Sequence, residues 1–311
     1  MKILFISVEN KVDYQCDCLF HGLNCLDDVI LYTLNDYWYM YKGNSYETLL
    51  GQWGKGFTIC NRIECDKRHI HRPEEAIENI EAHFYDVIIY GSIFRYDILL
   101  SHVLQNYKKE QIIFIDGEDL DFGVTYQKRM KGLLKQPIFH KAIKDRALNY
   151  ANKGLFFKRE LREIDRKNFY PIAFAMPEEN IITDVCTKEV YLATIIPGKK
   201  ETYIYDNEED YYHGYQVAYY GFTSKKSGWD CLRHYEIMAN GCIPYFPDIV
   251  KCPSTTMYNF PKDIILETNR LYAKENLNSQ LYTFYCKELL EYTREILTTR
   301  KMAQYVLSFI I

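Results

Sequence analysis

No C-x-x-C pair occurs among the ten cysteines of this 311-residue chain. Cys16 and Cys18 stand two apart and Cys60 and Cys65 five apart, with no matching His or Cys pair nearby, so no zinc site is expected. No apolar run is long enough to span a bilayer. The opening, MKILFISVENKVDY, turns polar after seven residues, which predicts no secretory signal and therefore free thiols in a reducing compartment. The expected location is the cytoplasm, or a host cytoplasm for a viral source. A basic excess is also missing. Lys and Arg number 38 against 42 Asp and Glu, a net charge of -4, which argues against a broad footprint for nucleic acid while leaving room for a local basic groove. There is no internal repeat and no low-complexity tract. No G-x-G-x-x-G follows the first apolar run, so a dinucleotide site is not expected there.

What is present is ordinary globular material, 48% hydrophobic and 26% charged. The length predicts two domains. Short apolar runs ended by polar residues predict parallel strands at KILFISV (2–8), DDVILYTL (27–34), DVIIYGSI (86–93) and EQIIFIDGE (110–118). Helical spacing separates them at 14–26 and 95–109, and the Pro-then-acid start of PEEAIENIEAHFY predicts a helix over 73–85. A charged, Pro-punctuated seam over 153–180 leads to a second alternating half. Its strands are expected at 189–196, 215–222 and 262–268, with a helix and then the strand CIPYF between the last two. The expected fold class is α/β, two Rossmann-like domains facing a cleft. The boundaries are 1–170 and 171–295, with a C-terminal helix, 296–311, returning to the first domain.

Two stretches carry chemistry. In GWDCLRHYEIMANGCIPYF (228–246), Asp230 or Ser227 can cap a helix, and Gly241 can end it in a left-handed conformation. Leu232, Tyr235, Met238 and Ala239 cover a core, while Trp229, Arg233, Glu236 and Asn240 share another face. A guanidinium fork suits phosphate oxygens, and a carboxylate can accept both hydroxyls of a ribose. Lys225 and Lys226 bring two more cations to the helix N-terminus, which itself favours anions. The competing reading is a surface salt bridge on an amphipathic helix. The second stretch, IIFIDGEDLDF (112–122), sets Asp116 and Glu118 at the carboxyl end of a strand. A carboxylate there can take the proton of an attacking hydroxyl. A solvated or capping loop, and a magnesium site, are the alternatives. Asp17 and His21, four apart on one helix face, and Arg95 beyond a further strand can line the first-domain side of the cleft, although a single His on a helix is more often a satisfied structural group. Lys158 and Arg159 are candidates for an anion, or for a solvated charge pair. Tyr211, Tyr212 and Tyr215 can stack on a base or pack a core.

EIMANGCIPYF resembles the donor-site signature of GT-B glycosyltransferases, and the longer stretch 225–253 is similar to members from large viruses, phages and bacteria. The order L-R-x-x-E-x-M-A resembles phage DNA β-glucosyltransferases. The resemblance implies that Glu236 binds the ribose and Arg233 the diphosphate, with Gly241, Ile243 and Pro244 around the nucleotide. It also implies that Asp116 is the base and that the first domain, with Asp17, His21 and Arg95, holds the acceptor; Glu118 and Asp119 in the same loop are close seconds for the base. Retaining members carry an upstream Glu, and SGWDCLR has none, so inversion is expected. The expected partners are a nucleotide sugar as co-substrate and a glycan or other hydroxyl acceptor, with no cofactor and no divalent metal. A DNA-modifying transferase and a non-catalytic nucleotide-sugar binder are the alternatives.

Overall fold

The computed structural model describes residues 1–8, 11–122, 137–273 and 279–310. The first half alternates β1 (Lys2–Ile6), α1 (Tyr14–Asn24), β2 (Ile30–Thr33), the short α2 (Tyr46–Leu49), α3 (Pro73–Glu81), β3 (Val87–Tyr90), α4 (Leu100–Asn106), β4 (Ile112–Asp116), α5 (Pro137–Ala151), β5 (Leu155–Lys158) and β6 (Tyr170–Pro171). All its strands pair in parallel, in the order β2-β1-β3-β4-β5-β6. The second half holds β7 (Val190–Leu192), α6 (Glu208–Gln216), β8 (Ala218–Phe222), α7 (Leu232–Ala239) and β9 (Ile243–Tyr245). It closes with α8 (Lys262–Ala273), α9 (Ser279–Ile296) and α10 (Thr299–Leu307). Its sheet is parallel, in the order β7-β8-β9.

Why the strands read as unbroken apolar runs follows from the two layers around them. Ile3 and Phe5 enter one core and Leu4 and Ile6 the other. Ile113 and Ile115 divide from Ile112 and Phe114 in the same way. A strand covered on both faces has no wet side, so period-two alternation vanishes from its hydrophobicity. The first of these cores continues without a break through Tyr220, Tyr235, Met238 and Ile243, so both sheets share it.

The strand expected over 262–268 is instead the opening of α8. Ile265 and Thr268 are fully buried while Lys262 and Asp263 are not, which is helical spacing rather than alternation. Glycine decides one helix crossing. A Cβ on Gly22 of α1 would lie 1.9 Å from the Thr299 carbonyl oxygen, so α1 and α10 pack backbone to backbone there.

The sheet order reverses direction at β1. Chain connections leave β1 toward β2 on one side and later return to β3 on the other. Such a switch point opens a crevice outside the carboxyl ends of the two strands.

Candidate functional site

The residues that follow β1, β3 and β4 meet in that crevice. Asp13 caps α1 through the Cys16 amide at 3.4 Å, and its other oxygen accepts from Ser92 Oγ at 2.9 Å and Arg95 Nη1 at 3.0 Å. Arg95 Nε reaches Glu118 Oε1 at 2.6 Å. Phe94, Ile115, Asp116 and Gly117 complete the pocket wall. Asp116 is only 3% exposed. Its Oδ2 lies 3.0 Å from the buried Lys158 Nζ, and its Oδ1 accepts from the Glu118 amide at 3.0 Å. Both oxygens are engaged: the β4–β5 register sets Asp116 opposite Lys158, and the turn after β4 brings the Glu118 amide back onto the other oxygen. The Glu118 side chain is 42% exposed, so of Asp116 and Glu118 it is the one open to an incoming hydroxyl.

Arg159 ties this edge to the second half. It is buried, its three nitrogens make four hydrogen bonds, and Phe174 lies under its guanidinium at 4.6 Å. Nε and Nη2 donate to Gly117 O at 3.0 and 2.7 Å, Nη2 also to Asp119 Oδ1 at 2.6 Å, and Nη1 to Asp230 O at 2.7 Å. Glu160 Oε1 accepts from the Asp230 amide at 2.9 Å. A Cβ on Gly228 would lie 2.5 Å from that same oxygen. Lys158 and Arg159 are thus neither solvated nor free for an anion, since each is consumed by a buried carboxylate or carbonyl. Burial pushes the Asp230 carboxyl up to about 6, with Arg159 opposing. Its oxygens serve the Phe174 amide and the Tyr235 hydroxyl, both at 2.9 Å, so it does not cap α7. The cap position is Cys231, with no side-chain bond.

On α7, Leu232, Tyr235, Met238 and Ala239 are buried as expected. Gly241 ends the helix at φ +61°. His234 is fully buried and neutral. Its Nε2–H donates to Trp229 O at 2.9 Å and its Nδ1 accepts from the Thr223 hydroxyl at 2.9 Å. Burial, reinforced by the neighbouring Arg233 charge, holds its pKa down at about 3.

Glu236 is 6% exposed. Its Oε1 accepts from Thr58 Oγ1 at 2.5 Å and its Oε2 from the Tyr211 hydroxyl. Burial raises its pKa, opposed by these two bonds and by Arg233. Arg233, half-buried, has a buried Nε without a hydrogen-bond partner. Burial works against its charge, and Cys231, Tyr211, Tyr215 and Tyr203 more than offset that. Its guanidinium stands 5.3 Å from the Tyr203 ring centre. Lys226 Nζ donates to the Tyr203 hydroxyl at 3.2 Å, and Lys225 lies 4.6 Å over Trp229. The Tyr203 phenol, pushed up by burial, is held below its usual range by Arg233 and Lys226. Four of the expected donor-side residues, Arg233, Glu236, Lys225 and Lys226, therefore gather around the first turns of α7.

The others do not. Gly241 lies at the amino end of β9, where its carbonyl accepts from Lys188 Nζ and Cys286 Sγ. Ile243 and Pro244 are buried in the sheet opposite Tyr220 and Gly221. Ligands of parallel sheets sit at the other, carboxyl end. Of the acceptor trio, only Arg95 lines the crevice. Asp17 is buried under the Tyr39 hydroxyl at 2.9 Å. His21 is buried between Thr299 Oγ1 at 2.8 Å and Glu179 at 3.2 Å, in the α1–α10 contact. Burial opposes its protonation, but Cys25 and Glu179 raise it to about 9. Tyr211, Tyr212 and Tyr215 are buried, and Tyr211 serves Glu236 directly.

Asp13 and Thr58 went unread in the sequence. Asp13 carried a weak signal, an acid at the helix start directly after the first strand. Thr58 carried none. Among the described residues no group of His, Cys, Asp and Glu could hold a metal ion, and no helix is long and apolar enough to cross a membrane. All ten cysteines are free thiols.

No family model matches the chain, and no curated protein does. Solved structures do. The chain is similar in fold to Anabaena HepE in complex with UDP-glucose, with a TM-score of 0.53 and 9% identity over 99% of this chain and 98% of that one. HepE in complex with UDP matches at 0.54 and 8%, over 99% of both chains. HepE with UDP and glucose matches at 0.52 and 9%, over 99% and 98%.

Proposed function

We propose that the chain is a GT-B-like glycosyltransferase that moves a sugar from a nucleoside-diphosphate donor of the UDP-glucose kind to a hydroxyl acceptor. The observation that carries the reading is on α7. A guanidinium with an unsatisfied buried nitrogen stands one turn from a buried carboxylate, with Lys225 and Lys226 alongside. A likeness in fold to a protein crystallised with UDP and UDP-glucose supports it.

In this reading Arg233, Lys225 and Lys226 take the diphosphate and Glu236 takes the ribose hydroxyls. Glu118 accepts the acceptor proton as the acceptor oxygen attacks the anomeric carbon. The bond to the diphosphate oxygen breaks with inversion, and its electron pair leaves with the diphosphate. The three cations stabilise that charge in place of a divalent metal. Asp116, bound to Lys158, holds the edge of β4 instead of acting as the base. The acceptor lies at the Asp13–Ser92–Arg95–Glu118 crevice.

The test is a thermal-shift panel of nucleotide sugars with release of free sugar or nucleotide followed alongside. UDP-glucose should stabilise the wild type, and R233A should lose the shift. A panel without any shift would overturn the donor assignment. The engaged oxygens of Asp116 favour one second reading, a nucleotide-sugar binder without turnover. Stabilisation with no product from any acceptor or from water would establish it.

A further inference from the structure

Glu236 already has two hydroxyls, one on each carboxylate oxygen, as a ribose diol would supply them. One of them, Thr58, comes from the loop between α2 and α3, on the other sheet's side of the chain. Its backbone stands at φ +76°, a left-handed conformation that a β-branched residue adopts only under constraint. The constraint is visible on every side. The Thr58 amide donates to Glu208, and its carbonyl accepts from Arg62 Nε at 3.0 Å and Asn180 Nδ2 at 2.9 Å. Its hydroxyl also meets the Tyr212 hydroxyl at 2.7 Å.

Further out the same loop is clamped to α6 and its lead-in. Lys55 Nζ reaches Tyr205 O at 2.6 Å and Asp206 at 2.7 Å. Phe57 stacks on Tyr211 at 5.5 Å, and Arg62 pairs with Glu208. Gly54, Lys55, Gly56 and Asn61 are also left-handed, so the loop makes a succession of tight reversals to reach Glu236. Trp53, at its head, is left 77% exposed.

We propose that segment 53–62 is a built-in plug of the donor pocket, with Thr58 as its pseudo-ligand. The proposal rests on Glu236 being the ribose carboxylate. The structure is then the closed resting state. A nucleotide sugar must displace the Thr58 hydroxyl from Glu236 before its ribose can bind, and the backbone strain at Thr58 favours departure once its bonds are exchanged. The measured affinity of the wild type is reduced by the fraction of molecules that stay plugged.

The test measures binding of UDP and UDP-glucose by calorimetry to wild type, T58V and K55A. T58V keeps the side-chain shape and removes the competing hydroxyl. K55A cuts the outer clamp and leaves every buried group in place, so it reports even if T58V folds poorly. T58V should bind UDP-glucose about tenfold more tightly than wild type, the size expected on removing one hydrogen bond to a charged group, and K55A about three- to fivefold more tightly, the size expected on removing a largely exposed ion pair. Hydrogen exchange should show the amides of 53–62 losing protection when UDP-glucose binds, while those of α7 gain it. Unchanged or weaker binding by both variants overturns the plug and leaves the donor site standing. Protection of 53–62 rising together with α7 also overturns it, because the segment would then be a lid over bound donor. No binding of either nucleotide to any of the three proteins overturns the donor reading and the plug with it.

Discussion

Acidification should loosen α7 through a single imidazole. His234 is fully buried with a pKa of about 3, against an ordinary 6.5. Its Nδ1 accepts the Thr223 hydroxyl, and a protonated ring would need an acceptor there and a home for its charge. The sign follows from linkage. Between pH 6.5 and 3 the unfolded chain binds the proton and the folded one does not, so stability falls as pH falls through that window. The contribution is complete above pH 6.5. Each pH unit is worth about 1.4 kcal/mol, so at pH 5 the loss is about 2 kcal/mol, and near pH 3 it approaches about 5 kcal/mol. Asp230 and His21, both with raised pKa, slope the other way, so the wild-type curve alone does not isolate the effect. The H234Q variant does. Glutamine can donate to Trp229 O and accept from Thr223 without titrating. Urea unfolding of both proteins at pH 8, 7, 6 and 5 gives the difference. H234Q should be the less stable at pH 8, where the ring contact with Phe246 at 4.7 Å is lost, and the gap should close by about 2 kcal/mol at pH 5. Parallel curves would refute the assignment of a buried neutral imidazole.

Three further outcomes follow from the geometry. R159M should cost about 3–5 kcal/mol, because the buried Glu160 and Asp230 lose their counter-charge and two carbonyls their donors, and denaturant midpoints would read it. E118Q should lower turnover by about 10²–10⁴-fold with the donor KM unchanged, whereas D116N should show its main effect as lowered thermal stability; the reverse pattern would return the base to Asp116. G22A should lower stability by about 1–3 kcal/mol, since its methyl meets the Thr299 carbonyl and the two helices must separate; a calorimetric Tm equal to wild type would contradict the close crossing.

The strands were legible because burial on both faces leaves an uninterrupted apolar signature, as in KILFI and IIFID. The 262–268 run was misread because three consecutive apolar residues, Ile264, Ile265 and Leu266, look alike in either periodicity. The Arg233–Glu236 spacing was legible, since a helix sets neighbours three apart on one face. Which end of β9 each neighbour occupies was not: Gly241 precedes the strand at its amino end, and Ile243 and Pro244 pair inside the sheet with Tyr220 and Gly221. Asp116 read well as the first polar residue of the edge. Its capture by Lys158 depends on strand register, which no local pattern encodes. Thr58 meets Glu236 across a separation of 178 residues, so nothing near it in the chain hints at the contact. Asp17 and His21 were correctly placed on one helical face, but that face points to α10 and Tyr39.

The backbone crossing at Gly22 joins two helices whose nearest side-chain bond, His21 to Thr299, spans 278 residues of chain. A contact of such long loop closure costs chain entropy before it returns any energy, so the α1–α10 seam should form after the local βα units and should be among the first to open under denaturant.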